Sequence, residues 1–280
     1  MKNLVTTDWL AAELTAPDLI LFDASYYLPA ENIDARARYA VEHIPGARFF
    51  DIDEIADPST TLPHMVPSAS RFEHLLGAMG VSNSTRMVFY DQRGLFSAAR
   101  GWWLMCFFGH ESVAILDGGL PKWRRELRSL VNKIPPAAVP QPYVASLRSG
   151  LLRVMDDLVE NLRTHRELVL DARSRPRFEG TVPEPRAGVV GGHIPGSRSL
   201  PFGELLNADG TMLSPDRLRA LFATLGVEPD TQVIASCGSG VTAPLITLGL
   251  AVAGYLPGAV YDGSWTEWGG SDAPIETGRL

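Results

Sequence analysis

The sequence predicts an α/β protein made of two tandem copies of one domain, each a mostly parallel sheet flanked by helices. Three observations lead there. Apolar runs such as Asp18–Asp23, Arg86–Asp91, Glu167–Asp171 and Thr231–Cys237 are short and bounded by turn residues, as buried strands are. Longer helical segments separate them, and that alternation builds parallel sheets. Four anchors also recur in one order at separations of 145 to 150 residues: Asp23 with Asp171, His43 with His193, Asp91 with Cys237, and Asp117 with Asp262. A period of a whole domain means duplication and not a solenoid.

Taken in order, Val5–Leu14 is expected to be a short helix capped by Thr7 or Asp8. Asp18–Asp23 is a strand ending in an acid, and Asn32–Val41 is helical. Glu42-His-Ile-Pro-Gly46 is a turn leading to a short strand by Asp51. Pro67–Gly80 is an amphipathic helix. The strand Arg86–Asp91 runs through a Gly-containing loop into the apolar helix Ala98–Phe108. Ser112–Asp117 is a third strand, closed by Gly118-Gly119 and a short helix from Pro121 to Leu127. The stretch Asn132–Gln141 carries several prolines and reads as a stiff exposed connector. This gives a first domain at 1–131, a linker at 132–149 and a second domain at 150–280.

Composition narrows the function. The chain has 280 residues, 45% hydrophobic and 20% charged, with net charge −7. That suits two soluble domains and argues against a nucleic-acid partner. Two cysteines, Cys106 and Cys237, exclude a disulfide framework and fit a reducing, cytoplasmic setting. Met1–Leu10 has no apolar stretch of signal-peptide length, and every apolar run falls short of the roughly 18 residues that span a bilayer. No Cys/His cluster has metal-ligand spacing, so neither metal nor other cofactor is expected.

The chemistry concentrates at Val233-Ile-Ala-Ser-Cys-Gly-Ser-Gly-Val-Thr242. The strand ends at Cys237, and an apolar helix follows with Pro244 in its first turn, where no amide partner is lost. Gly238 and Gly240 let successive amides turn inward around one point, and the helix N-terminus adds positive potential. A thiolate there is stabilised, which makes Cys237 either a nucleophile or a buried structural cysteine. The duplication decides between them. A packing cysteine would be matched by an apolar residue, yet its counterpart is Asp91. One copy is therefore expected to be active and the other to have lost the reaction. Features kept in both copies, His43 and His193 and the four aspartates, are read as structural. Cys106 is read as a core residue, and the six tryptophans, taken as mostly repeating with the fold, are assigned to packing.

The His-Ile-Pro-Gly turns, the segments Asp117-Gly-Gly and Asp262-Gly-Ser-Trp, and the loop Cys237-Gly-Ser-Gly-Val-Thr242 together make the sequence similar to the rhodanese superfamily over nearly its whole length. The loop resembles the type that uses 3-mercaptopyruvate. Thiosulfate-using relatives typically carry a cationic Cys-Arg-Lys-Gly loop, and cations beside the sulfur suit a small dianion. The resemblance implies that Gly238, Gly240, Val241 and Thr242 cradle the transferred sulfur and that Arg177 and Arg186 hold the donor's carboxylate, for which the planar fork is suited. By spacing alone Arg173, Arg175 and Arg177 are not ranked. It also implies a relay of Ser239, His64 and Asp53, the last two from the inactive copy. Arg100 matches a family arginine lining the cleft. Ala99 stands where a proline was expected, and Phe96 where some members have Tyr.

The expected reaction is sulfur transfer through a Cys237 persulfide, from 3-mercaptopyruvate to a thiol such as thioredoxin or glutathione, or to cyanide. A monomer is expected. Two alternatives stand beside it: a thiosulfate sulfurtransferase, and a persulfide carrier or binding module without turnover. A Cys-dependent phosphatase would need an Arg six residues after the cysteine, where this chain has Ala243.

Overall fold

The computed structural model describes residues 1–278 and forms two compact units. The first contains Met1–Pro58, Val66–Arg148 and Ala208–Met212; the second contains Ser59–Met65, Ser149–Asn207 and the chain from Leu213 onward. Two short segments are thus exchanged relative to the boundaries read from sequence, and His64 belongs to the second unit. The expected connector, 132–141, is largely exposed with neither helix nor strand, and the chain from Gln141 on is tied to the first unit. The Gln141 amide donates to Gly77 O at 2.9 Å, the Ser146 amide donates to Phe108 O at 2.9 Å, and Tyr143 is buried.

The first unit has five parallel strands: β1 (Leu4–Val5), β2 (Leu19–Asp23), β3 (Arg48–Phe49), β4 (Arg86–Tyr90) and β5 (Val113–Leu116), in the order β1-β5-β4-β2-β3. The second repeats it with β6 (Leu152–Arg153), β7 (Leu168–Asp171), β8 (Arg198–Ser199), β9 (Val233–Ser236) and β10 (Ala259–Tyr261), in the order β6-β10-β9-β7-β8. The central strands are apolar because helices cover both faces of such a sheet. Ile234 and Ala235 of β9 are fully buried, and so are Val88 and Phe89 of β4.

Most expected elements form with ends moved by one to three residues. The first helix is Thr7–Glu13, and its cap is Thr6, whose hydroxyl accepts the Trp9 amide. Val5 lies in β1 instead, paired with Leu116. The helix Ala69–Ala78 is capped by Ser68, and the apolar helix is Ala98–Phe107. In that helix Cys106 is only partly buried, not a core residue. The tryptophans do not mostly repeat. Trp123 and Trp268 are a matched pair, each indole donating to a backbone carbonyl at 2.9 Å. Trp265 stands where the first unit has Leu120, and Trp102 and Trp103 correspond to Thr247 and Leu248 in the repeat.

The paired histidines do the same work twice. His43 Nδ1 bonds Tyr39 O at 2.8 Å while its backbone bridges Val131; His193 Nδ1 bonds Phe178 O at 2.8 Å while its backbone bridges Glu276. Each ring stacks on the aromatic residue whose carbonyl it bonds. These are fixtures of the fold, which is why they occur in the copy without a cysteine.

Candidate active site

In the second unit β7, β9 and β10 are neighbours, so the loops after their carboxyl ends converge, where parallel sheets bind ligands. Arg173 follows β7 and Arg177 lies in the short helix Arg175–Phe178 just after it, the loop after β9 carries Cys237, and Ser264 follows β10.

Cys237 is 1% exposed and sits at the first position after β9. The loop ends at Thr242, and the helix Ala243–Ala253 begins with Pro244 in its first turn. Gly240 has φ +74°, a conformation that glycine adopts without penalty. The loop is pinned from β10. Ser264 Oγ accepts the amides of Cys237 and Gly240, both at 3.2 Å, and donates to Tyr261 O at 2.8 Å. The same oxygen lies 4.0 Å from the Cys237 sulfur. Ser264 is fully buried with φ +50°, a strained conformation for a residue with a side chain. Its counterpart Gly119 has φ +54°. The turn is common to both copies, and the one with the cysteine keeps a hydroxyl there despite the strain.

The first unit shows what this turn binds. Asp91, in the cysteine's position, is fully buried. Its Oδ2 accepts the amides of Phe96, Ser97 and Ala98 at 2.8–2.9 Å, and Oδ1 accepts that of Arg93 at 2.8 Å. Four convergent amides on one carboxylate make an anion cradle. The first unit fills it with its own side chain.

The structure ranks the three arginines that spacing left equal. Arg173 is buried and fully engaged. It bonds Asp171 through Nε and Nη2, Glu184 through Nη1 at 2.9 Å and Gly192 O at 2.7 Å, and its guanidinium lies 4.2 Å from the Trp265 ring. Arg175 is exposed and paired with Glu204. Arg177 borders the loop: its Nη2 and Nη1 lie 3.1 and 3.7 Å from where a Cβ on Gly238 would stand. Glu184 holds Arg177 through Nε and Nη2. Arg186 is two residues further on, partly buried.

His64 Nδ1 lies 3.0 Å from Ser239 O and 3.1 Å from Ser239 Oγ, and both residues are buried. A carbonyl oxygen only accepts, so Nδ1 carries a proton. Ser239 Oγ then accepts from His64 and keeps its own proton to donate elsewhere. His64 has φ +63°, a second strained residue at this site. Asp53 and Arg100 belong to the first unit. Asp53 is exposed in the first turn of Ile52–Ile55. Arg100 is buried, its guanidinium 4.8 Å from the Trp103 ring. Val241 is buried and Thr242 partly so.

Sequence reading missed Ser264 and Glu184. The alignment of Asp262-Gly-Ser with Asp117-Gly-Gly marks Ser264 as a departure between copies, which was a usable signal. Nothing local marks Glu184. Among the described residues no group of three His, Cys, Asp or Glu could hold a metal ion, and no helix is long and apolar enough to cross a membrane.

Comparison with known proteins agrees with this geometry. The rhodanese-like domain family matches residues 6–126 and 154–271. The chain is 43% identical to human 3-mercaptopyruvate sulfurtransferase, over 95% of this chain and 92% of that one. It is 40% identical to thiosulfate sulfurtransferase of Cricetulus griseus, over 99% and 94%. The crystal structure of SseA from Escherichia coli, a 3-mercaptopyruvate sulfotransferase, superposes with a TM-score of 0.83 at 35% identity, covering 95% of this chain and 99% of that one. With two copies of the domain, one cysteine loop and one aspartate-filled loop, this chain belongs to the rhodanese family.

Proposed function

We propose that the protein is a sulfurtransferase that takes sulfur from 3-mercaptopyruvate onto Cys237 and passes it to a thiol. The observation that carries this is Arg177 bordering an uncharged cysteine loop. A cation stands beside the nucleophile's turn, placed by another element, and positions 238 to 242 hold no charge. That arrangement suits a donor whose anionic group is separated from its reacting sulfur. Relatives bearing the name 3-mercaptopyruvate sulfurtransferase match at 42–43% identity.

The Cys237 thiolate attacks the donor's sulfur. The sulfur–sulfur bond forms as the carbon–sulfur bond breaks, and its electron pair leaves on pyruvate as the enolate. The enolate takes one proton to become pyruvate. Ser239 keeps a donatable proton beside the loop, so we assign it to the developing enolate oxygen, with His64 orienting it. The cradle seen around Asp91 supports the loop amides not taken by Ser264 as the holders of the persulfide anion. By family resemblance Arg186 remains assigned to the donor carboxylate, Asp53 to the proton relay and Arg100 to substrate binding. In the second half a thiol of the thioredoxin or glutathione class, or cyanide in an assay, removes the outer sulfur and returns Cys237 as thiolate. A reducing compartment and a monomer fit this cycle.

Steady-state transfer to cyanide from 3-mercaptopyruvate and from thiosulfate, side by side, tests the reading. A rate ratio favouring 3-mercaptopyruvate is expected. A ratio favouring thiosulfate would reassign the donor, and persulfide formation without turnover would make the protein a carrier. Cys237→Ser should abolish transfer while leaving the fold intact.

A further inference from the structure

Glu184 is a charged side chain only 3% exposed. It lies between two arginines, taking Arg173 Nη1 at 2.9 Å and both Nε and Nη2 of Arg177. Arg173 cannot move. Asp171, Gly192 O and the Trp265 ring hold it from three sides, and the Trp265 amide donates to Cys237 O at 3.0 Å. A buried carboxylate with two hydrogen-bonded cations is well compensated, and a fixed one transmits position.

We propose that Glu184 is a positioning residue that sets donor specificity. By binding the Nε/Nη2 edge of Arg177 it leaves the Nη1/Nη2 edge beside Gly238 to receive the donor's carboxylate. This rests on reading Arg177 as the carboxylate anchor. A guanidinium has two edges that take a carboxylate bidentately, and Glu184 occupies one. The line Trp265–Arg173–Glu184–Arg177 ties that anchor to the element that also fixes the backbone of Cys237. Sulfur and carboxylate are thus gripped from one rigid frame.

Two effects of neutralising Glu184 oppose each other. Loss of its charge strengthens the field of Arg177 on an anion. Loss of its hydrogen bonds releases a long side chain from its single orientation. Arg177 is 20% exposed, so water screens the gain in field, whereas nothing else replaces the lost orientation. Weaker donor binding is the net outcome.

The test compares wild type, Glu184→Gln and Arg177→Met in sulfur transfer to cyanide. The donors are 3-mercaptopyruvate and 1-mercaptopropan-2-one, which keeps the carbon–sulfur bond and carbonyl but lacks the carboxylate. In Glu184→Gln, KM for 3-mercaptopyruvate should rise about tenfold, the size of one lost charge-assisted bond. kcat should stay within about twofold, and kcat/KM for the ketone should not change. Arg177→Met should raise the same KM further and equally spare the ketone. Equal losses on both donors in Glu184→Gln, or an unchanged or lower KM for 3-mercaptopyruvate, would overturn the positioning role. If Arg177→Met leaves the discrimination between donors intact, the anchor reading itself fails, whatever Glu184→Gln does. Should Glu184→Gln not fold, Glu184→Asp keeps the charge and retracts the carboxylate. It should show the same KM-selective loss at smaller size, and an unaltered KM there would likewise overturn the role.

Discussion

Ser264 offers a sharp test of how the cysteine loop is held. Replacing it with Ala removes the hydroxyl that accepts two buried amides and donates to Tyr261 O, yet leaves a side chain at φ +50°. At about 1 kcal/mol net for each of three hydrogen bonds, Ser264→Ala should cost about 3 kcal/mol. Ser264→Gly loses the same bonds but relieves a left-handed strain of about 1 kcal/mol, as Gly119 does in the other copy, so it should cost about 2 kcal/mol. Urea unfolding gives the ordering wild type, then Gly, then Ala. Both variants release the amides of Cys237 and Gly240, so sulfur transfer should fall by roughly tenfold or more in each, since small displacements at a reacting centre are costly. Ser264→Ala as stable as wild type would show that the hydroxyl does not pin the loop. Ser264→Ala more stable than Ser264→Gly would refute the strain.

Three further outcomes follow from the same geometry. Asp91→Ala strips the acceptor from four amides and should destabilise the protein by about 4 kcal/mol, with Asp91→Asn roughly half as damaging, both read from urea midpoints. Burial raises the Asp23 carboxyl to about 6 against the opposing bonds of Ser25 and Gln92. The folded state therefore holds its proton more tightly than the unfolded chain, and stability contributed by Asp23 is present at low pH and lost by about 3 kcal/mol as pH rises from about 4 to about 6. Asp23→Asn should flatten the pH dependence of the urea midpoint across that window, and an unchanged slope would assign it to other groups. Gly238→Ala places a Cβ 3.1 Å from Arg177 Nη2, so KM for 3-mercaptopyruvate should rise several-fold, by steady-state kinetics, with the persulfide still detectable by mass.

The cysteine loop was legible because its chemistry lies on consecutive residues between a strand and a helix, and a duplicate stood beside it for comparison. The strands β4 and β9 and the helix Ala243–Ala253 were legible because their apolar runs are long. The two-residue strands β1 and β6 carry no period to read, and they form only because β5 and β10 offer them an edge. The amphipathic helix Met155–Thr164 went unassigned although its period is helical. Thr6 lost to Thr7 as the expected cap because three hydroxyl or acid side chains stand in a row. The choice among Arg173, Arg175 and Arg177 depends on which acid each one meets. Glu184 lies seven residues beyond Arg177 across a loop, and that pairing exists only once the loop is folded. Backbone strain at Ser264 and His64 is likewise invisible in residue names.

The aspartate-filled turn makes the molecule its own reference in hydrogen exchange. Amides 93, 96, 97 and 98 are locked on Asp91, so their exchange waits on opening of the first unit and does not depend on the chemical state of Cys237. The matching amides around Cys237 meet the thiolate in the resting enzyme and a persulfide anion, one sulfur further out, in the loaded one. Loading and unloading of sulfur should therefore change exchange in one loop while its twin keeps constant time, and the ratio of the two reports persulfide occupancy within a single chain.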